Sequence, residues 1–316
     1  MFFTGKRPPK ARAEKPAPET RSALLQEINA EIPEGVDWTA GALTYVAAEI
    51  AKHGKESYTR YLLSKPLAPI PSVGADAATT GGAALIENCA YLTNFINAVA
   101  LLDLPGRSRV LDVACGSGWV AQFFARMNYE AYGFDISPDM IDLAVRRFND
   151  DPLLRELGDE VKRERFFVLD IEREALPGRL KGKLDAIVLE SCLHHFIDPI
   201  SALTNLTEGL ADDGIVVIIE GENRVGPIKS EYLSVMREFA TLERPYSRDQ
   251  LERMLDFAGL AEREYVGRLN GWFSPRDPRV ANLTEIVKGD AAAINFVVAA
   301  RKAEPLDRIF TFRQSL

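Results

Sequence analysis

The chain has 316 residues, 47% hydrophobic and 27% charged, the balance of an ordinary folded protein. That length suits one large α/β domain with an added cap, or two domains. A formal net charge of −8 argues against a general nucleic-acid binder, and no stretch is long and apolar enough to span a bilayer.

Residues 1–20 carry four prolines among Lys, Arg and Glu, bury little and are expected to be disordered. Helical patterns follow at Ser22–Ile32, Trp38–Ile50 and Glu56–Leu63, the last ended by Lys65-Pro66. A loop rich in Pro, Gly and Ala leads to a longer helix over about 83–102. Residues 21–105 read as a helical N-terminal cap.

From Arg109 the pattern alternates. Strands are predicted at Arg109–Val113, Glu130–Ile136, Arg165–Ile171, Leu184–Glu190 and Gly214–Glu220, each rich in apolar residues. Helices intervene. Ser137-Pro138-Asp139 and Asp198-Pro199 are helix starts, with a capping residue followed by proline. Further on, Lys229–Leu242 reads as a helix, and Ser247-Arg-Asp-Gln250 is a capping box for another, closed by Gly259. Strands at Glu262–Leu269 and Ile294–Arg301 flank residues 270–290, an expected excursion over the active face. The fold class is therefore α/β, a doubly wound, Rossmann-like, mostly parallel seven-stranded sheet with an N-terminal helical cap. Its main domain spans 106–302, with helices and the substrate-covering excursion at 223–290, and residues 303–316 are a tail.

The cysteines Cys89, Cys115 and Cys192 lack disulfide or metal spacing, and three histidines argue against a multi-ligand zinc site, so no metal is expected. The basic start, Met1–Arg12, is not followed by an apolar segment of signal-peptide length. A soluble protein in a reducing, cytoplasmic setting is expected.

The chemistry centres on Val110-Leu-Asp-Val-Ala-Cys-Gly-Ser-Gly118, an apolar strand that runs into a glycine turn and then an amphipathic helix. Gly116-Ser-Gly118-Trp-Val-Ala121 fits G-x-G-x-x-G/A, with Asp135 following about 20 residues later. NAD enzymes share that pattern. Asp112, just before the glycines, would repel a pyrophosphate but suit the ammonium and sulfonium of S-adenosylmethionine. Asp170 is placed to accept from an adenine amine, with Ile136 and Ile171 as apolar walls. Acids recur at strand ends, at Asp112, Asp135, Asp170, Glu190 and Glu220, which an open parallel sheet turns toward one crevice.

Together with Gly133-Phe-Asp135-Ile-Ser137 and Leu189-Glu-Ser-Cys-Leu-His-His-Phe196, the glycine segment closely resembles the class I S-adenosylmethionine-dependent methyltransferases, over about residues 105–302. The resemblance implies a cofactor site of Asp112, Ala114, Gly116, Gly118, Asp135, Ile136, Asp170, Ile171 and Glu190. In it Gly116 and Gly118 back the methionine part, Asp135 takes the ribose hydroxyls, and Asp170 and Ile171 meet adenine. Glu190 lies near the methionine portion.

His194 and His195, after the fourth strand, are candidate general bases, and the sequence does not separate them. Tyr58, Tyr61 and Lys65 form a polar-aromatic stripe at helical spacing, read either as packing or as a lid facing substrate; Trp272 is a further candidate for the acceptor pocket. The expected activity is methyl transfer to an oxygen, or second a nitrogen, of a small-molecule acceptor such as a sugar, a glycan end or a natural-product intermediate. An NAD-dependent oxidoreductase and a non-catalytic scaffold on the same fold remain the alternatives.

Overall fold

A computed structural model describes residues 20–66, 91–96, 98–100, 102–158, 163–220, 224, 226–260, 262–267 and 296–301, the last two segments without their side chains. Trp272, the 270–290 excursion and the two termini lie outside the described residues.

Five strands run parallel: β1 (Arg109–Val113), β2 (Glu130–Asp135), β3 (Phe166–Val168), β4 (Leu184–Glu190) and β5 (Leu210–Ile219). β6 (Glu262–Gly267) and β7 (Phe296–Arg301) add an antiparallel pair, and the order across the sheet is β3-β2-β1-β4-β5-β7-β6. The order reverses beside β1, which leaves a crevice at the carboxyl ends of β1 and β4, where open α/β sheets place ligands. The β3 strand is shorter than predicted. Leu169–Ile171 leave it as a turn in which Asp170 accepts the Glu172 N–H at 3.2 Å.

Alternate residues of each strand feed two separate cores, as the two-residue repeat requires. On one face Leu111, Val113, Ile187, Leu189, Val216 and Ile218 pack with α1 (Arg21–Asn29), α6 (Pro199–Thr207) and α8 (Arg248–Phe257). On the other, Val110, Ala186, Val188, Ile215 and Val217 pack with α4 (Trp119–Arg126), α5 (Pro138–Asp150) and the helical residues Phe95, Ala98 and Leu102. Both faces are covered, which is why these strands read as continuous apolar runs.

The N-terminal helices do not act as one unit. Leu24 and Ile28 of α1 sit in the first core beside α8. By contrast α2 (Trp38–His53) and α3 (Lys55–Ser64) lie at the crevice, where Val46, Tyr58 and Leu62 pack on Met140. Trp38 packs with Ile228, Met236 and Leu242, next to α7 (Ser230–Phe239). Among the described residues, no helix is long and apolar enough to cross a membrane.

Candidate active site

The strand ends open on one cavity of about 580 Å3. Ala114, Gly116, Asp135, Ile136, Asp170, Ile171 and Glu190 all line it. Gly116 adopts φ +51°, and a Cβ there would meet nothing within 4 Å, so the loop presents bare backbone to open space. Asp135 takes the Gly116 N–H at 3.0 Å on one oxygen and the Ser137 N–H at 2.9 Å on the other. Burial raises its pKa, against the pull of those backbone donors. Ser137 has the extended backbone of a helix cap, yet its side chain makes no capping bond. Its buried Oγ lines the cavity and has no hydrogen-bond partner among the described residues.

Two expected cofactor residues are placed elsewhere. Asp112 does not line the cavity; its buried carboxylate accepts the Ala121 N–H at 3.1 Å and ties the end of β1 to the start of α4. Burial pushes its pKa well above the usual carboxylate range. Gly118 also faces away. A Cβ there would stand 2.7 Å from Ala144 Cβ, so its bareness serves the packing of the glycine loop on α5.

Tyr58, Tyr61 and Lys65 line the cavity from α3 and the residue after it, and Tyr45 lines it from α2. The Lys65 ammonium lies over the Tyr61 and Tyr91 rings, 5.3 and 5.2 Å from their centres. Burial alone would lower its pKa, but Tyr61, Tyr91 and Glu190 outweigh that and raise it. Burial raises the pKa of Glu190, with Lys65 opposing. The loop is bolted to α3 by Arg147, a buried residue of α5. Its guanidinium donates to the carbonyls of Leu62 at 2.6 Å, Ser117 at 2.8 Å and Lys65 at 3.1 Å. Ser117 Oγ adds a bond to the Leu62 carbonyl at 2.8 Å.

The remaining wall is a 3-10 turn, Leu193–His195. Glu220, at the end of β5, holds it twice. It accepts the Leu193 N–H at 2.7 Å and contacts His194 Nδ1 at 2.7 Å. The Tyr246 hydroxyl donates to the Leu193 carbonyl, and Arg244 donates to that of Phe196. Burial would depress the His194 pKa, but Glu220, with help from Glu243, raises it to about 9. His194 is therefore a cation at neutral pH. His195 moves the other way, lowered by burial and by the charge on His194. Its Nδ1 lies against the Leu242 carbonyl, which as an acceptor fixes the proton there and leaves the lone pair on Nε2. Glu243, which the sequence does not single out, lies 3.5 Å from His194 Nε2. No local signal marks it, because the turn after α7 alone brings it here.

Two carboxylates at the cavity wall, the buried Asp135 and the half-buried Glu190, favour an organic cation and oppose a pyrophosphate. The unpartnered Ser137 Oγ, the Asp135 carboxylate and the open backbone at Gly116 fit the sugar and amino-acid parts of S-adenosylmethionine. A family model described as a methyltransferase domain matches residues 86–264, more than half of the chain. The protein belongs to the methyltransferase family.

As a methyltransferase it is 31% identical over 171 residues to the ubiquinone biosynthesis O-methyltransferase of Methylococcus capsulatus, covering 50% of this chain and 67% of that protein. It is 34% identical over 113 residues to the juvenile hormone acid O-methyltransferase of Drosophila melanogaster, where the match spans 34% of this chain and 35% of the relative. Among solved structures, geranyl diphosphate C-methyltransferase of Streptomyces coelicolor A3(2), in complex with Mg2+, geranyl-S-thiolodiphosphate and S-adenosyl-L-homocysteine, superposes with a TM-score of 0.54. That match has 14% identity and covers 86% of this chain and all of the other, a likeness of fold. The methyltransferase uses S-adenosylmethionine. The NAD-dependent and non-catalytic alternatives give way to the family match and to the acid-lined cavity.

Proposed function

We propose that this methyltransferase moves a methyl group to an oxygen of a small-molecule acceptor held against His194, His195 and the tyrosines of α2 and α3. One observation carries the reading: the same cavity is lined both by the Asp135–Ser137 corner and by the His194–His195 turn. S-adenosylmethionine supplies the electrophilic methyl on a sulfonium.

The chain's residues do the rest. Asp135 and the Ser137 hydroxyl take the ribose hydroxyls, Ile136, Asp170 and Ile171 hold adenine, and Glu190 balances charge at the methionine end. α2 and α3 act as the cap, excluding water and so strengthening these electrostatic contacts. The acceptor hydroxyl is set in line with the methyl, and positioning supplies much of the rate. His195 takes the hydroxyl proton at Nε2, its nitrogen with a free lone pair. His194, paired with Glu220, is the positioning residue beside it.

Oxygen is favoured over nitrogen by two of the relatives, both named O-methyltransferases. The net charge of −8 and a cavity of about 580 Å3 favour a small acceptor over a nucleic acid, in a cytoplasmic protein.

Asp135→Ala is expected to weaken S-adenosylhomocysteine binding by about a hundredfold, close to 2.7 kcal/mol. Unchanged affinity in calorimetry defeats that assignment. His195→Ala is expected to cut turnover by a factor of about 100 or more while leaving S-adenosylhomocysteine affinity near that of the wild type. Full turnover in that variant removes His195 as the base.

A further inference from the structure

Two of the three histidines stand where the sequence shows no reason to pair them with a third ligand. His194, His195 and Glu243 each offer one ligand atom, and these atoms all lie within 4.8 Å of one another at the cavity wall. The imidazole rings are 4.1 Å apart between centres. Glu243 lies 3.5 Å from His194 Nε2 through one oxygen, and its other oxygen is 3.9 Å from the Nδ1 side of the His195 ring, whose Nε2 is the nitrogen left to bind. Small side-chain shifts bring three such atoms to the roughly 2.0–2.2 Å from a shared centre that a divalent cation requires.

The surroundings fit as well. A metal-bound histidine donates its other ring N–H to a carboxylate or carbonyl, which fixes the ring and raises its basicity. His194 has Glu220 at Nδ1, 2.7 Å away, and the cation takes the place of the Nε2 proton that the metal-free ring holds toward Glu243 at neutral pH. His195 has the Leu242 carbonyl at Nδ1. Glu220 is itself held by the Leu193 N–H, so the outer support is rigid.

We propose that His194, His195 and Glu243 form a site for a divalent first-row transition cation, open on the cavity side to the methyl acceptor. Two imidazoles and one carboxylate suit zinc, iron, cobalt or manganese better than magnesium or calcium, which prefer all-oxygen sites. Three protein ligands leave coordination positions for the acceptor. The acceptor is then an oxygen chelate, a vicinal diol or an α-hydroxy acid, bound through two neighbouring oxygens.

The proposal rests on the methyl-transfer reading of this cavity and sends the acceptor proton to water instead of to His195. Coordination makes the hydroxyl acidic, and its proton passes to water. The new oxygen–methyl bond then forms as the sulfur–methyl bond breaks and the sulfonium becomes a neutral thioether. With the cation in place, the His195 lone pair is a ligand, and the cation assumes the task given to that imidazole above.

The expectation that three histidines leave no multi-ligand site counted residues along the chain. The fold brings Glu243 in from the turn after α7, 48 positions beyond His195.

The test uses the full chain, stripped with chelator, dialysed and titrated with Co2+. Binding is read by the visible absorbance of the cobalt ion and, with Mn2+, by electron paramagnetic resonance. One Co2+ per chain is expected, with a spectrum unlike that of the aqueous ion. Glu243→Gln is expected to abolish it, and Glu220→Gln, which touches only the outer shell, to weaken it by about 10–100-fold. S-adenosylhomocysteine binding is measured on the same samples, and its retention shows that each variant is folded. An aqueous-ion spectrum in wild-type protein that binds S-adenosylhomocysteine overturns the cation site and leaves the methyl-transfer reading standing. So does cobalt affinity unchanged in both variants. Loss of S-adenosylhomocysteine binding by the wild type would defeat that reading itself.

Discussion

Arg147 is a buried cation whose partners are three backbone carbonyls, the Ser117 hydroxyl and the Gln122 side-chain carbonyl. Burial and the nearby Arg126 lower its pKa to about 10, and it remains charged at neutral pH. Its planar, many-donor head reaches Leu62, Lys65 and Ser117 at once, which a lysine ammonium cannot reproduce. Arg147→Met keeps the bulk but leaves those carbonyls without their donor. A loss of about 3 kcal/mol is expected. For a chain of this size that lowers the melting temperature by roughly 6–12 °C. S-adenosylhomocysteine affinity is expected to fall as well, because Ser117 belongs to the cofactor loop, and Arg147→Lys is expected to restore only part of either. Calorimetric melting with and without the ligand separates the two effects.

At the scale of elements, the decisive contact is the crossing of α2 over the turn after α7. Ala240 closes α7 at φ +50°, and a Cβ on Gly41 would stand 1.9 Å from its carbonyl oxygen. A glycine inside a helical pattern is costly and commonly marks close packing, as it does here. That turn leads straight into Thr241, Leu242 and Glu243, so the Gly41 crossing also sets the depth of the histidine wall. Gly41→Ala is expected to push α2 away, costing about 1–3 kcal/mol. Turnover is expected to fall more than S-adenosylhomocysteine binding, since Asp135 and Gly116 belong to other elements. Thermal melts and steady-state kinetics on the variant check both parts. The strands behave more simply. Alternate residues of β1, β4 and β5 enter opposite cores, and the helices that cover them follow from the crossovers.

Across the whole molecule, charge pairs hold the first helix on the sheet layer. Arg21 pairs with Asp198 at 2.6 Å, and Glu27 pairs with Arg253 at 2.7 Å. Burial would raise the pKa of Asp198, but the Ser201 bonds and Arg21 lower it. The Arg253 bond lowers that of Glu27 against a smaller effect of burial. Depressed folded-state pKa values stabilise above the unfolded values, about 3.9 for Asp and 4.3 for Glu, and that contribution is lost as pH falls through the folded ones. Acid is therefore expected to free α1 first. Near pH 3 the protection of residues 21–29 against hydrogen exchange, taken relative to the intrinsic amide rate at each pH, is expected to fall from its pH 7 level before that of β1 and β4 does. Simultaneous loss throughout would refute this order.

The parallel strands, the glycine turn, the acids at Asp135, Asp170 and Glu190 and the histidine pair were legible in the chain itself. Each belongs to a pattern whose physics is local: apolar runs for strands buried on both faces, small residues for a sharp turn, a capping box for α8. Other features depended on distance in space. Asp112 and Gly118 read as cofactor residues because they flank the turn, but side-chain direction sends one to the start of α4 and the other against Ala144. The pattern of α1 resembled that of its neighbours, and only the packing of Leu24 and Ile28 assigned it to the sheet layer. Arg147 and Glu243 carry no sequence signature, and Ser137 reads only as a helix start, because what matters is which carbonyl, cavity or imidazole each one meets. Residue order sets the strands and their turns through short-range geometry and burial, whereas the environment of each charged group is decided by chain segments far apart in sequence.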